Sequence, residues 1–296
     1  MRLARPLRHL PAALGLLPAA FVVLGVYVGC SIWSMRISFT ASRILPSDQF
    51  VGLRQYTALL SNTRWETSVI NLAIIGPMFI VMTIALGFLI AILIDQKVRA
   101  ENALRALFLY PYSMSFIVTG LVWQWMLNPS VGIQKLVRSF GFEEFRFDWI
   151  VDQQMVVFAV VLAAVWHGSG LVMAIALAGL RGIDEDIWRA ARVDGIPTWR
   201  TYVSIVLPML GASVATAAVL LAITVVRLYD LVVAMTQGGP GIASEVPAKF
   251  IIDHMFERQN IGLATSAATV MLITVLAVIA PWIYARERAQ RRGRAA

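Results

Sequence analysis

Six stretches of this 296-residue chain are apolar for as long as a helix needs to cross a bilayer, and that alone removes most folds. A span takes about 20 mostly apolar residues. Segments near 10–32, 68–94, 106–127, 155–180, 209–235 and 263–284 meet the requirement. Lipid offers backbone N–H and C=O groups no partners, so each segment is expected to be a helix. The chain therefore reads as all-α, a polytopic membrane protein with six transmembrane helices. Only 14% of its residues are charged, against about 25% in soluble domains. Some spans are expected to be interrupted: Gly76-Pro77 in the second, Tyr110-Pro111-Tyr112 in the third, and Trp166-His167-Gly168-Ser169-Gly170 in the fourth.

Charge orients the segments. Arg2, Arg5 and Arg8 precede the first span, and Lys97, Arg99 and Arg105 lie between the second and third. Arg181, Arg189, Arg192 and Arg200 fall after the fourth, and Arg286, Arg288, Arg291, Arg292 and Arg294 follow the sixth. These four segments hold 15 basic residues against seven acids, whereas the opposite loops hold nine of each. The formal net charge of +8 thus sits on one side, which the positive-inside rule makes the cytoplasm, with both termini inside. The high isoelectric point follows from topology and calls for no nucleic acid. The first span has the basic-then-apolar look of a signal peptide. It runs longer than such a core and lacks a convincing cleavage site, so it reads as an uncleaved span. A single cysteine, Cys30, excludes an intramolecular disulfide and argues against a cysteine-based metal site.

Between the fourth and fifth spans lies a charged insert, Leu-Arg-Gly-Ile-Asp-Glu-Asp through Leu207-Pro208. Asp184, Glu185 and Asp186 sit where a helix N-terminus favours negative charge. Asp194-Gly195 supplies a stop and turn, and Pro197 is tolerated in the first turn of a second helix. Helix, turn, helix makes a peg. A long ordered loop on the basic side points to contact with a soluble partner, the alternative being a merely solvated amphipathic loop. The segment resembles the cytoplasmic loop of bacterial ABC-importer permeases, in which Glu-Ala-Ala is followed by Asp-Gly and then Leu-Pro. Ala190, Ala191, Asp194, Gly195, Leu207 and Pro208 stand at matching positions. Arg189 departs from the pattern by replacing the glutamate. The resemblance implies that these residues couple to a cytoplasmic ATPase, with a partner carboxylate expected opposite Arg189.

The external side carries a second motif. Tyr229-Asp230, followed by Thr236-Gln237-Gly238-Gly239-Pro240, resembles carbohydrate-uptake permeases of the maltose and glycerol-3-phosphate type. The continuation from Ile242 to Phe250 looks most like glucose/mannose and α-glucoside permeases. That resemblance implies a type I ABC importer permease fold. The implied domains are 1–67 (tail, first helix and first periplasmic loop), a five-helix core over 68–285 with the coupling loop at 181–208, and a basic tail over 286–296. It also implies a second permease subunit forming a heterodimer, two cytoplasmic ATPase subunits and a periplasmic sugar-binding protein. No phosphate-binding Gly-x-x-x-x-Gly-Lys-Ser/Thr loop occurs in the sequence. The chain is thus expected to bind no cofactor itself, ATP and Mg belonging to the partner ATPase, and to catalyse no reaction.

Candidate substrate contacts follow from both lines. Arg227 and Asp230, three residues apart, fall on one helical face near the outer end of the fifth span. Charge at mid-membrane costs about 2.5–3.5 kcal/mol on insertion scales, which pairing or a wet cavity reduces. They are either a local ion pair or part of a sugar path in which Tyr229 stacks and Asp230 accepts hydroxyls. By the resemblance, His167, Gly168 and Leu171 fall where the maltose-type permease touches its sugar. On structural grounds alone the glycines equally serve helix packing. Of Trp123 and Trp125 only one can face inward, and Trp123 is the candidate for stacking.

The reading is an inner-membrane permease subunit importing a mono- or oligosaccharide. An ion-coupled secondary transporter is the alternative, disfavoured by the missing inverted repeat and the few intramembrane carboxylates. Reporter fusions after Arg105 and after Arg200 are expected to report cytoplasm, and fusions at Gln55, Glu144 and Ser244 the outside. An external signal at Arg200 would overturn the orientation.

Overall fold

The computed structural model describes residues 10–96 and 98–293, with side chains over 15–96 and 98–277. Arg2, Arg5, Arg8, Lys97 and Arg294 lie outside the described residues, as do the side chains of Arg286, Arg288, Arg291 and Arg292. Helix dominates, and the only β-pairing among the described residues is an isolated bridge between Thr40 and Phe50. The helices are α1 (Leu10–Phe21, a π-helical Val22–Val28 and Gly29–Ile37), α2 (Arg54–Leu60), α3 (Thr63–Asp95), α4 (Glu101–Ser113), α5 (Phe116–Met126) and α6 (Ile133–Ser139). They continue as α7 (Val156–Arg181), α8 (Glu185–Val193), α9 (Thr198–Met209, with a π-helical turn), α10 (Gly211–Val226), α11 (Tyr229–Thr236), α12 (Pro247–Ile252) and α13 (Ile261–Gly293).

The chain divides into two compact units. One is Thr63–Lys249, and the other comprises the residues up to Asn62 and from Phe250 onward. In the latter, α1 and α2 both pack on α13. The Gln55 amide donates to the Thr40 carbonyl at 3.0 Å, and Ser38 and Tyr56 share a hydroxyl–hydroxyl bond of 2.7 Å. The first satisfies a backbone carbonyl where the chain turns between helices, and the second ties two side chains across the turn.

The larger unit is organised around α7, which packs along α3 and α4 and contributes most of its length to the core. Small residues set this spacing. A Cβ on Gly87 would stand 2.6 Å from Val172, and one on Gly170 would collide with the Phe108 carbonyl of α4. Close backbone approach through small residues is the main packing device where lipid removes the hydrophobic drive between helices.

Among the described residues three helices are long and apolar enough to cross a membrane, α3 and α7 among them, or up to five if each bent pair counts as one span. Two of the expected interruptions are absent. α3 runs unbroken through Pro77, and α7 runs unbroken through the Trp166–Gly170 stretch. Gly76 of α3 packs against the Val225 side chain, and in α7 Gly168 faces the Thr83 and Phe79 side chains while Gly170 faces the Phe108 backbone. In the third segment Pro111 stays inside the last turn of α4. The chain bends by 100° only afterwards, at Met114-Ser115. Pro111 removes one helical hydrogen bond, and extended Ser115 then starts α5 by accepting from the Val118 N–H at 3.3 Å. α9 and α10 meet at 69° about Leu210.

On the chain's second apolar-to-polar junction, Gln237, Gly238 and Gly241 take positive φ to turn the chain after α11. The Asn71 amide donates to the carbonyls of Ala243 and Glu245, both at 2.9 Å. Arg64 pairs with the buried Glu245 at 2.8 Å. The loop is thereby strapped to the first turns of α3.

Gly170→Ala is expected to lower the unfolding midpoint and the yield of the detergent-purified protein, because overpacking costs about 1–3 kcal/mol or more. Gly211→Ala, where a new Cβ meets nothing within 4 Å, is expected to leave both near wild type. Equal behaviour of the two variants would show that the α4–α7 contact does not set stability.

Candidate functional site

The bend between α4 and α5 opens a cavity of about 340 Å³ inside the larger unit. That is the lower end of the range of ligand pockets, about 300–1,000 Å³. Phe79 of α3 lines one wall, His167, Gly168 and Leu171 of α7 another, and Leu221, Ile223 and Thr224 of α10 a third. Tyr112, Met114, Ser115 and Phe116 contribute the rim at the bend, and Arg227 and Asp230 complete the lining.

His167 is held from two directions. Its Nδ1 is 3.0 Å from the Thr119 hydroxyl, and its ring stacks on Phe116 with centroids 4.3 Å apart. Tyr112 lies 5.6 Å away at a tilt. A two-nitrogen ring with one nitrogen engaged keeps the other for a ligand. Gly168 belongs here for space: a Cβ would stand 3.1 Å from Thr83 and 3.3 Å from Phe79.

Arg227 and Asp230 do not share one uninterrupted helix. α10 ends at Val226 and α11 begins at Tyr229, so the chain leaves helical geometry between them. No ion pair within 4.0 Å joins the two among the described residues, yet both line the cavity. One cation and one anion, facing the same space, present donors and acceptors with no net charge.

The other two candidates from the sequence fall elsewhere. Tyr229 is half-buried and outside the cavity lining. Trp123 does face inward, at 7% exposure against 69% for Trp125. It packs edge-on against Trp166 at 6.0 Å instead of lining the cavity. Tyr112, Ser115, Phe116 and Thr224 were not legible as candidates: Tyr110-Pro111-Tyr112 marks an interruption, but nothing local shows that the bend meets Thr224 of α10 and His167 of α7 around one space.

The peg forms as a second site. Asp184 caps α8, its carboxylate accepting from the Asp186 N–H at 2.9 Å. The helix ends in a Schellman turn: the Ile196 N–H donates to the Ala191 carbonyl at 3.0 Å and the Gly195 N–H to that of Arg192 at 3.2 Å. Gly195 takes φ +69°, which other residues adopt at a cost. Trp188 meets Tyr202 edge-on at 5.2 Å, closing α8 against α9. Burial, and then the nearby Asp95 carboxylate, raise the Tyr202 phenol above its ordinary pKa. Ala191 is buried, while Val193 and Trp199 stand out at 86% and 68% exposure. Pro197 occupies the N-cap of α9, one position before the first turn. Leu207 and Pro208 close α9 just before the bend at Leu210. Arg189 finds carboxylates within its own helix, Glu185 at 2.8 Å and Asp186 at 3.0 Å.

Residues 83–289 match the family described as binding-protein-dependent transport system inner membrane component, and the chain belongs to that family. It is 32% identical over 286 residues to a probable ABC transporter permease protein of Pyrococcus horikoshii, covering 96% of this chain and 98% of the relative. It is 31% identical to a xylose/arabinose import permease protein of Haloferax volcanii, over 90% of this chain and 85% of the relative. Its fold matches a chain of a bacterial ABC transporter involved in the import of the acidic polysaccharide alginate. That match has a TM-score of 0.81 at 16% identity, over 96% of both chains. The all-helical permease fold expected from the sequence is observed, with three to five candidate spans among the described residues where six were expected.

Gly195→Ala is expected to destabilise the turn by about 1–2 kcal/mol through backbone conformation alone, since its Cβ would meet nothing within 4 Å. Gly195→Asn, which tolerates positive φ, should be milder. Proteolytic nicking between α8 and α9 ranks the variants; equal nicking of Gly195→Val and wild type would overturn the assignment.

Proposed function

We propose that this chain is the membrane-spanning permease subunit of an ATP-driven sugar importer, carrying a mono- or oligosaccharide of the glucose/mannose or α-glucoside type inward. The observation that supports it best is the cavity. It combines aromatic faces at Tyr112 and Phe116, hydroxyls at Ser115 and Thr224, a tethered imidazole, and a cation and anion that are not paired with each other. A neutral sugar offers many hydroxyls and one apolar ring face, and that lining supplies a partner for each. The likeness to a xylose/arabinose import permease supports a sugar as cargo.

In this reading the protein does no chemistry, and it works with a second permease, two ATPase subunits and an external sugar-binding protein. ATP and Mg are bound by the ATPase. The binding protein delivers sugar on the outer side. ATP-driven closure of the ATPase pair pushes on the α8–α9 peg, and the helices around the cavity rock to expose it inward. Both termini lie in the cytoplasm. The peg presents Val193 and Trp199 as an apolar tip, and the Arg189 charge is neutralised by Glu185 and Asp186.

The test is uptake of labelled glucose, mannose and maltose into proteoliposomes holding the complete complex. The variants are Asp230→Asn, Arg227→Gln and His167→Ala, and the first two are expected to assemble normally, because no ion pair links Arg227 to Asp230. Each should raise the half-saturating sugar concentration by about fivefold to a hundredfold, the worth of one or two lost hydrogen bonds to a charged or buried group. Normal assembly with unchanged uptake in all three would place the sugar site on another subunit.

A further inference from the structure

One guanidinium ties together the ends of three helices on the side of the peg. Arg181 is the last residue of α7 and the first of the 181–208 loop. Its Nη2 donates to Glu101 Oε1 at 2.6 Å, and its Nε lies 3.7 Å from Asp95 Oδ1. Asp95 ends α3 and Glu101 begins α4, and Glu101 also accepts from Arg105 at 3.3 Å. The two carboxylates are 22% and 23% exposed and the Arg181 side chain 42%, so the carboxylates are partly withdrawn from water while the guanidinium stays in contact with it. Partly buried networks of this kind hold geometry better than isolated surface pairs.

The far end of α4 is the rim of the cavity. From Glu101 to Tyr112 the helix rises about 16 Å at about 1.5 Å per residue. Tyr112 lines the cavity, and the next residues form the bend that opens it. Midway, the Phe108 carbonyl bears on α7 at Gly170, where no side chain intervenes. α4 is thus a short rod with three contacts: charge at its root, backbone against backbone at its middle, and substrate lining at its tip. The loop also reaches this network, since Tyr202 packs on Trp188 and lies within the influence of Asp95 at the end of α3.

We propose that Arg181 is a positioning residue for transport, its bridge to Glu101 carrying displacement of the peg along α4 to the rim of the substrate cavity. The inference rests on reading 181–208 as the loop that contacts the ATPase. Arg181 touches neither sugar nor ATP. It acts by making the root of α4 follow the loop, and without the bridge the loop moves while α4 stays behind.

The experiment uses the complete complex in proteoliposomes, in a Cys30→Ser background carrying Ser113→Cys as a reporter at the exposed end of α4. The readout is the rate of maleimide labelling with and without ATP plus vanadate, together with ATPase activity. The parent is expected to show an ATP-dependent change in labelling. Arg181→Gln should shrink that change by about two- to thirtyfold, the range of measured coupling effects, while the ATPase subunits stay bound and active. Glu101→Gln should do the same, and the double variant should be no worse than either single one, since both break one bridge. Arg181→Lys, which keeps the charge but loses the fork, should fall between. If Arg181→Gln does not assemble, Arg181→Lys decides: parental labelling there overturns the proposal. Also against it would be additive losses in the double variant, a parental response in Arg181→Gln, or a parent with no ATP-dependent change. The underlying reading fails separately, if Gly195→Asp keeps full ATPase co-purification and activity.

Discussion

Everything in the larger unit depends on how closely α7 approaches its neighbours. With no water to drive apolar surfaces together, the helices gain from contact only where backbones come near enough for dense packing and nothing is left void. Gly87 against Val172 and Gly170 against the Phe108 carbonyl create that proximity. Because α3 and α4 are held so tightly along α7, the 100° bend between α4 and α5 cannot be absorbed by drift of the helices. It opens a cavity instead. The cavity is the space left over when three well-packed helices meet a chain that has to turn.

The same close packing makes the assembly a mechanical object. Between Arg181 and the cavity, α4 touches α7 through backbone atoms at mid-length and through charge at one end. The peg of α8 and α9 is built to the same standard, with an acidic cap, a left-handed glycine stop and a Trp188–Tyr202 contact fixing its angle. The Arg189 guanidinium meets carboxylates three and four residues back on the same helix, the spacing at which helical side chains meet. Both pairs are exposed, so their net worth is small.

Much of this was legible in the residues. Apolar length dictated helices, because lipid admits little else; the segment near 155–180 became α7 almost residue for residue, and that near 68–94 became α3, which starts earlier, at Thr63. Asp184, Asp194 and Gly195 announced the peg through capping and turn chemistry that depends only on nearest neighbours. Tertiary contacts alone decided which signals would be overruled. Pro77 and the Trp166–Gly170 stretch look like breaks in isolation, yet packing on both sides keeps their helices whole. Pro111 did end a helix, but two residues late. The gathering of Tyr112, Phe116, His167, Thr224, Arg227 and Asp230 around one space spans more than a hundred residues of chain. No local rule reaches that far. Capping and turning are settled by the backbone within a turn or two, whereas a cavity is settled by where distant helices stop each other.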